Sequence, residues 1–194
     1  EEKTVRKSIS TLFLGLCLAG GAQAGLIGVK TIEIRNAIGQ WLQVSEFEAI
    51  NTGSVNVAAS ANGGTASAPD SWPGSSPNYA IDGIINTAFP NMFHEGSPLT
   101  NDTLTITLSS IQELSSFRIF GRSDCCSNRD VYDIVFKSAN GDVLYSVDNL
   151  SAVNAEHMAT GTLPNTSTVP EPASMALIGA GLLGLAARRR KSSR

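Results

Sequence analysis

Between positions 122 and 129 the chain reads Arg-Ser-Asp-Cys-Cys-Ser-Asn-Arg, two guanidinium groups bracketing a carboxylate and two adjacent cysteines. Each guanidinium offers a rigid fork of donors to paired oxygens, the chemistry of a small polar ligand site. Asp124 is spaced to orient one of the arginines through a paired carboxylate. Consecutive Cα atoms lie about 3.8 Å apart, below the roughly 4.4 Å at which ordinary disulfides begin. A bond between Cys125 and Cys126 would thus tie no distant segments together. Its use would be local, as a rigid apolar sulfur surface beside the arginines; the other state is two reduced thiols on a surface turn. His94, between Phe93 and Glu95, is the other group suited to polar recognition, although alone it would read as a solvated loop histidine.

The elements that would hold these groups read as strands. The segments 31–35, 42–49, 104–108 and 117–120 alternate apolar and polar residues, as half-buried antiparallel strands do. The segments 134–137 and 143–147 flank Asn140-Gly141, a pair suited to a tight hairpin turn. The stretch from Thr52 to Asn78, rich in Gly, Ser, Ala and Pro, reads as loop. No long helical period occurs between the two ends of the chain. Short strands with long loops predict an all-β domain, a jelly-roll β-sandwich whose function sits in loops. Its expected extent is 25–163, followed by a linker over 164–168. With 42% hydrophobic residues, 16% charged residues and a net charge of −3, the chain has no basic field for nucleic acid.

Both ends carry address signals. Lys3, Arg6 and Lys7 precede an apolar run from Ile9 to Gly21 and the small-x-small site Ala22-Gln23-Ala24, the pattern of a secretory signal peptide over 1–24. Its removal takes Cys17 with it and leaves Cys125 and Cys126 as an even pair in an oxidising compartment, which favours the disulfide. At the other end, Val169-Pro170-Glu171-Pro172 leads into an uncharged run to Ala187 and then Arg188-Arg189-Arg190-Lys191. A helix over 173–187 would reach about 22 Å, short of the roughly 30 Å hydrocarbon core, so it would anchor the chain only marginally. The order of tetrapeptide, apolar helix and basic cluster over 169–194 resembles the PEP-CTERM sorting signal. That resemblance implies an exosortase-type processing enzyme as partner, with the protein at the surface or in the extracellular matrix of a Gram-negative bacterium that makes exopolysaccharide.

Three loops, 80–87, 91–95 and 122–129, together resemble the coagulation factor 5/8 type C (discoidin-like, galactose-binding-like) domains, and more narrowly the F-type lectins. Ala80-Ile81-Asp82-Gly83 is the hallmark of the broad family. His94, a spacer of 27 residues and then Arg122-x-Asp124-Cys125-Cys126-x-x-Arg129 follow the narrower one. The resemblance implies fucose or a related deoxy sugar as ligand. His94, Arg122 and Arg129 would bond its hydroxyls and ring oxygen, Cys125 and Cys126 would press on its apolar face, Asp124 would orient an arginine, and Phe93 or the sulfurs would receive its methyl group. It also implies a structural Ca²⁺ ion, which takes six to eight oxygens. Its ligands would come from Asp82, carbonyls near Tyr79 and Ile84, Asn91 or Thr87, and a glutamate on the closing strand. This chain departs from the pattern at Ile84, where the family has a side-chain oxygen, and Glu46, the nearest match to the glutamate, lies on an early strand instead of the last. Asp82 has another reading, an Asp-Gly turn residue bonding its own backbone.

Catalysis is not expected. Glu95 beside His94 and Glu48 beside Glu46 lack the separation or supporting motif of a hydrolase, and neither His94 nor His157 has metal-ligand spacing. The expected function is therefore exported carbohydrate binding, with a matrix or adhesion scaffold that binds no sugar as the other reading.

Overall fold

The computed structural model describes residues 25–97 and 102–166, which belong to one compact unit spanning Gln23–Val169. The expected signal peptide and the apolar C-terminal segment lie outside the described residues. Among the described residues nine strands occur, β1 (Leu26–Asn36), β2 (Gln43–Val44), β3 (Glu46–Asn51), β4 (Thr65–Ser67), β5 (Phe93–His94), β6 (Leu104–Phe120), β7 (Val131–Lys137), β8 (Val143–Ser151) and β9 (Met158–Thr162). The only helical pieces among the described residues are 3₁₀ turns at Ser60–Asn62, Pro77–Ile81 and Ser127–Arg129. The fold is all-β and its strand pairs are antiparallel. Seven strands form one sheet through β3-β6-β1-β7-β8, with β4 and β9 also on β6, and β2 pairs β5 apart from it. None of the described helical turns is long and apolar enough to cross a membrane.

The 17-residue β6 organises the domain. Its first part, Leu104 to Thr107, runs between β1 and β4, while Ser116 to Phe120 runs between β3 and β9. Buried side chains fall at Leu104, Ile106 and Leu108, then at Leu114, then at Phe117 and Ile119. The step from Leu114 to Phe117 is three residues, so the inward face changes parity there, as an added residue in a strand requires. The irregular register between Ile50 and Asn51 lies opposite, and Ser115 Oγ donates to both of their carbonyls at 3.1 and 3.2 Å. The strand thus bends and presents its second half to the core from a new direction. Phe117 meets Phe47 at 6.0 Å and Phe136 of β7 at 5.3 Å between ring centroids, and these rings centre the core.

The hairpin expected at Asn140-Gly141 joins β7 to β8, with Gly141 at φ +88°. The single strand expected over 42–49 is two. Ser45 separates β2, which pairs β5, from β3, which pairs β6. The domain also runs past 163 into the expected linker: Thr166 Oγ1 accepts from Ile27 N–H at 3.0 Å, and Thr166 N–H donates to Gly25 at 3.1 Å.

Candidate functional site

The two short strands build the floor of a cavity. Successive strand residues face opposite sides, so in the β2–β5 pair Val44 and Phe93 enter the core while their neighbours Gln43 and His94 turn the other way. Phe93 is fully buried in that core, which corrects its expected contact with a ligand methyl group: alternation gives the ligand side to His94. The loop before β5 is zipped onto it. Ser75 Oγ accepts from His94 N–H at 2.7 Å and donates to Met92 O at 2.9 Å, and Trp72 N–H donates to His94 O at 2.9 Å. Trp72 is thereby carried over the His94 ring, with centroids 5.6 Å apart; Trp41 and Phe89 stand at 6.3 and 6.0 Å.

The opposite wall is the cysteine loop, held at its base by buried Asp130. Its Oδ2 accepts from Arg122 N–H at 2.7 Å, and Ala152 N–H donates to its carbonyl at 2.8 Å. A Cβ at Gly121 would run into that carboxylate, so the close approach requires glycine. Burial pushes the Asp130 carboxyl up to about 7, against hydrogen bonds from Arg122 N–H and Tyr132 and the charges of both arginines. At its outer edge the loop is tied to the 84–91 segment by Ser123 N–H on Thr87 O at 2.7 Å and by the paired Ser123 and Thr87 hydroxyls at 2.6 Å.

Six side chains, Trp41, Trp72, Phe89, His94, Arg122 and Arg129, line a cavity of about 300 Å³. Such a volume lies at the lower end of small-molecule sites. Arg122 donates to Asp124 through Nε at 2.6 Å and Nη2 at 3.1 Å, and through Nη1 to Gln43 Oε1 at 3.1 Å. Its guanidinium lies 5.4 Å from the Phe89 centroid. Arg122 hydrogen bonds are also the main reason the Asp124 carboxyl sits below the usual carboxylate range. Arg129 stands over Trp41 at 4.9 Å and has no carboxylate within ion-pair distance among the described residues. His94 Nδ1 bonds Glu95 O at 2.7 Å, so it carries the ring proton and leaves Nε2 as an acceptor. Burial, then the charges of Arg122 and Arg129, hold the imidazole below its usual pKa despite that bond, so it is neutral at pH 7.

The expected trio His94, Arg122 and Arg129 is therefore brought together, with Asp124 orienting Arg122 as expected. Cys125 and Cys126 are joined as a disulfide, with Cys125 exposed and Cys126 half-buried, and neither is among the lining residues. The apolar lining of the cavity is made by Trp41, Trp72 and Phe89 instead of the sulfurs. These rings were not read from the sequence, nor was Gln43. The signal was there: the chain has only two tryptophans, and both stand in non-strand stretches.

The expected cation ligands converge less. Gly83 N–H, from a residue at φ +82°, donates to both Glu46 carboxylate oxygens at 3.3 Å, which sets fully buried Glu46 beside the Asp82 loop. Burial pushes the Glu46 carboxyl up to about 8, the Gly83 bond opposing and the charges of Asp82 and Glu48 adding. No cation accompanies Glu46 among the described residues. Asp82 Oδ1 meanwhile accepts from Ile84 N–H at 2.8 Å, the turn bond that was its other reading. Thr87 is spent on Ser123, Asn91 is exposed in a turn closed on Ala88 O, and the Ile84 carbonyl accepts from Asn86 N–H at 2.9 Å. Tyr79 lies half-buried on the 3₁₀ turn that ends at Ile81. No group of three or more His, Cys, Asp or Glu side chains among the described residues is arranged to hold a metal. Glu46 and Asp82 are thus neighbours at the Gly83 turn, and the rest of the expected ligand set does not assemble around them.

Comparison with known proteins gives one match: residues 168–191 match the PEP-CTERM protein-sorting motif. No curated protein and no solved structure matches the chain. The C-terminal segment is thus a PEP-CTERM sorting signal, which implies an exported protein and an exosortase-type processing enzyme as its partner.

Proposed function

We propose that the domain binds carbohydrate without catalysis, taking fucose or a related deoxy sugar in exopolysaccharide at the cell surface or in the extracellular matrix. The observation that carries this reading is the convergence of His94, Arg122 and Arg129 on one aromatic-walled cavity. A pyranose needs donors and acceptors along one edge and a flat apolar surface for its C–H face. Arg122, oriented by Asp124 and Gln43, supplies donors; neutral His94 supplies an Nε2 acceptor; Trp41, Trp72 and Phe89 supply the surface and a place for a methyl group. The lining holds no carboxylate, whereas glycoside hydrolysis uses a facing pair. The all-antiparallel strands, with β6 shared among β1, β3, β4 and β9, are compatible with a galactose-binding-like jelly roll.

A calcium ion at Glu46 and Asp82 would neutralise the buried carboxylate and stiffen the loop that continues to Thr87 and Phe89. The chain's own part is to bring those two acids together; no step in sugar binding passes through the ion.

One observation favours the scaffold reading. Ile84 and Ile85 are adjacent and 61% and 53% exposed, an apolar tip suited to a partner surface. A glycan array with the full-length chain, with and without a calcium chelator, separates the two. Binding to deoxy sugars that Arg122→Ala abolishes supports the lectin. No sugar bound, with wild type and Arg122→Ala indistinguishable, sinks it and leaves the scaffold.

A further inference from the structure

The two arginines of the cavity are unequally matched. Arg122 is matched by a bidentate carboxylate, and its guanidinium charge is locally cancelled. Arg129 is not: its neighbours in the cavity are the Trp41 face and a neutral imidazole, and Asn36 Nδ2 donates to its carbonyl at 2.7 Å, leaving the guanidinium without an ion pair among the described residues. A half-buried guanidinium with no counter-ion in an aromatic-walled cavity favours an occupant that brings acceptors to it. A neutral sugar hydroxyl answers it weakly, because it carries no charge. A carboxylate or sulfate brings acceptors only, and it matches the planar guanidinium fork in two parallel bonds.

We propose that the ligand is an anionic glycan, in which Arg122 and His94 engage ring hydroxyls while Arg129 pairs with a carboxylate or sulfate on the bound sugar or its neighbour. This rests on the sugar-binding reading and specifies its ligand class. It also fits the aromatic walls, which strengthen an ion pair by keeping water from it.

Calorimetric titration of the full-length chain with methyl α-L-fucoside, its 3-O-sulfate, methyl α-D-galactoside and methyl α-D-galacturonide tests it; the second and fourth probes separate sulfate from carboxylate. At least one anionic probe is expected to bind about tenfold or more tighter than its neutral counterpart at low salt, with the ratio falling as salt is raised. Arg129→Gln should erase the ratio and Arg129→Lys retain part of it, whereas Arg35→Gln, an exposed cation on β1, should leave it intact. Equal affinity for both members of each pair, or a ratio that survives Arg129→Gln or falls equally with Arg35→Gln, overturns the anionic ligand and leaves the sugar site standing. Failure of all four probes to bind overturns both.

Discussion

The cavity and the acidic corner at Glu46 were both legible as groups of residues, yet they have been assembled to different degrees. The arginines of the cavity come from one eight-residue segment whose ends are held by Asp130 and whose side is tied to Thr87. Arg122 arrives with three hydrogen bonds from its guanidinium already made. The acidic corner draws on β3 and on the 79–91 loops, and only Glu46, Asp82 and Gly83 meet. A site carried on one clamped segment keeps its geometry when the surrounding strands are rearranged. A site shared among several segments depends on each of them being placed.

The largest expected effect lies in the cavity. Arg122→Ala removes the oriented donors and frees Asp124 and Gln43, and bonds to charged groups are worth about 1.5–3 kcal/mol each. Sugar affinity measured by calorimetry should fall on the order of 100-fold. Thermal stability should fall far less, because the loop keeps its Asp130 and Thr87 ties. A large loss of stability with affinity preserved would show that Arg122 is a structural strut and that the cavity has no privilege over the acidic corner.

The next effect tests the corner. Glu46 has its carboxyl raised from 4.5 to about 8, so between those values the folded protein holds a proton that the unfolded chain has lost. Stability from this group is therefore fully present below pH 4.5, declines as pH rises toward 8 and is level above it. Without calcium, Glu46→Gln should match wild type near pH 4 and exceed it at pH 8, by on the order of 3 kcal/mol in denaturant titrations. Added calcium should raise the melting temperature of wild type and not of the variant. If millimolar calcium leaves the wild-type melt unchanged, the corner is an acid pair without a cation.

How far sequence reading reaches follows the same division. Alternation located the cores of β1, β3 and β6, because each buries alternate residues, and the Asn140-Gly141 turn located β7 and β8, of which only β7 buries a face. Alternation gave β6 as two strands, since the exposed stretch Ser109 to Ile111 interrupts the pattern where the register with β1 jumps from Thr107 to Gln112, while the strand itself runs on. The strand β9, Met-Ala-Thr-Gly-Thr, has too few apolar residues to announce itself, and Gly161 is there because a Cβ would strike the Phe117 ring. The arginine loop was legible because its chemistry is contiguous. The aromatic walls were not, because Trp41, Trp72 and Phe89 meet only through the pairing of β2 with β5 and the zipping of the 72–75 loop. A two-residue strand is too short to show alternation in the sequence, so nothing there separates the core side of Phe93 from the cavity side of His94.

A smaller effect distinguishes the base of the cavity from Glu46. Asp130 is raised from 3.8 to about 7, again by burial, so it too withdraws stability as pH rises through that interval. Unlike Glu46 it has an anchoring task, and asparagine can still accept from Arg122 N–H. Asp130→Asn should therefore flatten the pH dependence of stability between about pH 4 and 7 and be stabilising by about 1–2 kcal/mol at pH 8. Asp130→Ala should instead destabilise by a similar amount, because the Arg122 N–H loses its partner. Denaturation midpoints across that pH range check both, and an unchanged slope in Asp130→Asn would return the carboxylate to the ionised state.

The smallest effect concerns the disulfide. Were Cys125 and Cys126 a contact surface for the sugar, reduction would cost binding as much as losing an aromatic wall. In this structure they stand outside the lining, and Arg122 is positioned by Asp124, Gln43 and Phe89 without them. What the bond restrains is the path of the loop: Cys126 sits at φ +61°, a left-handed conformation that non-glycine residues seldom adopt, and Cys126 O accepts from Arg129 N–H at 3.1 Å. Reduction should thus loosen Arg129 more than Arg122. Affinity for a neutral sugar should weaken only about two- to threefold, while any preference for an anionic one should fall further, since Arg129 is the group that would set it. Calorimetry with and without reductant, alongside the Cys125→Ser/Cys126→Ser double variant, measures both quantities. A hundredfold loss on neutral sugar would make the sulfurs part of the binding surface; an unchanged preference would show that the Trp41 face and Asn36 alone hold Arg129 in place.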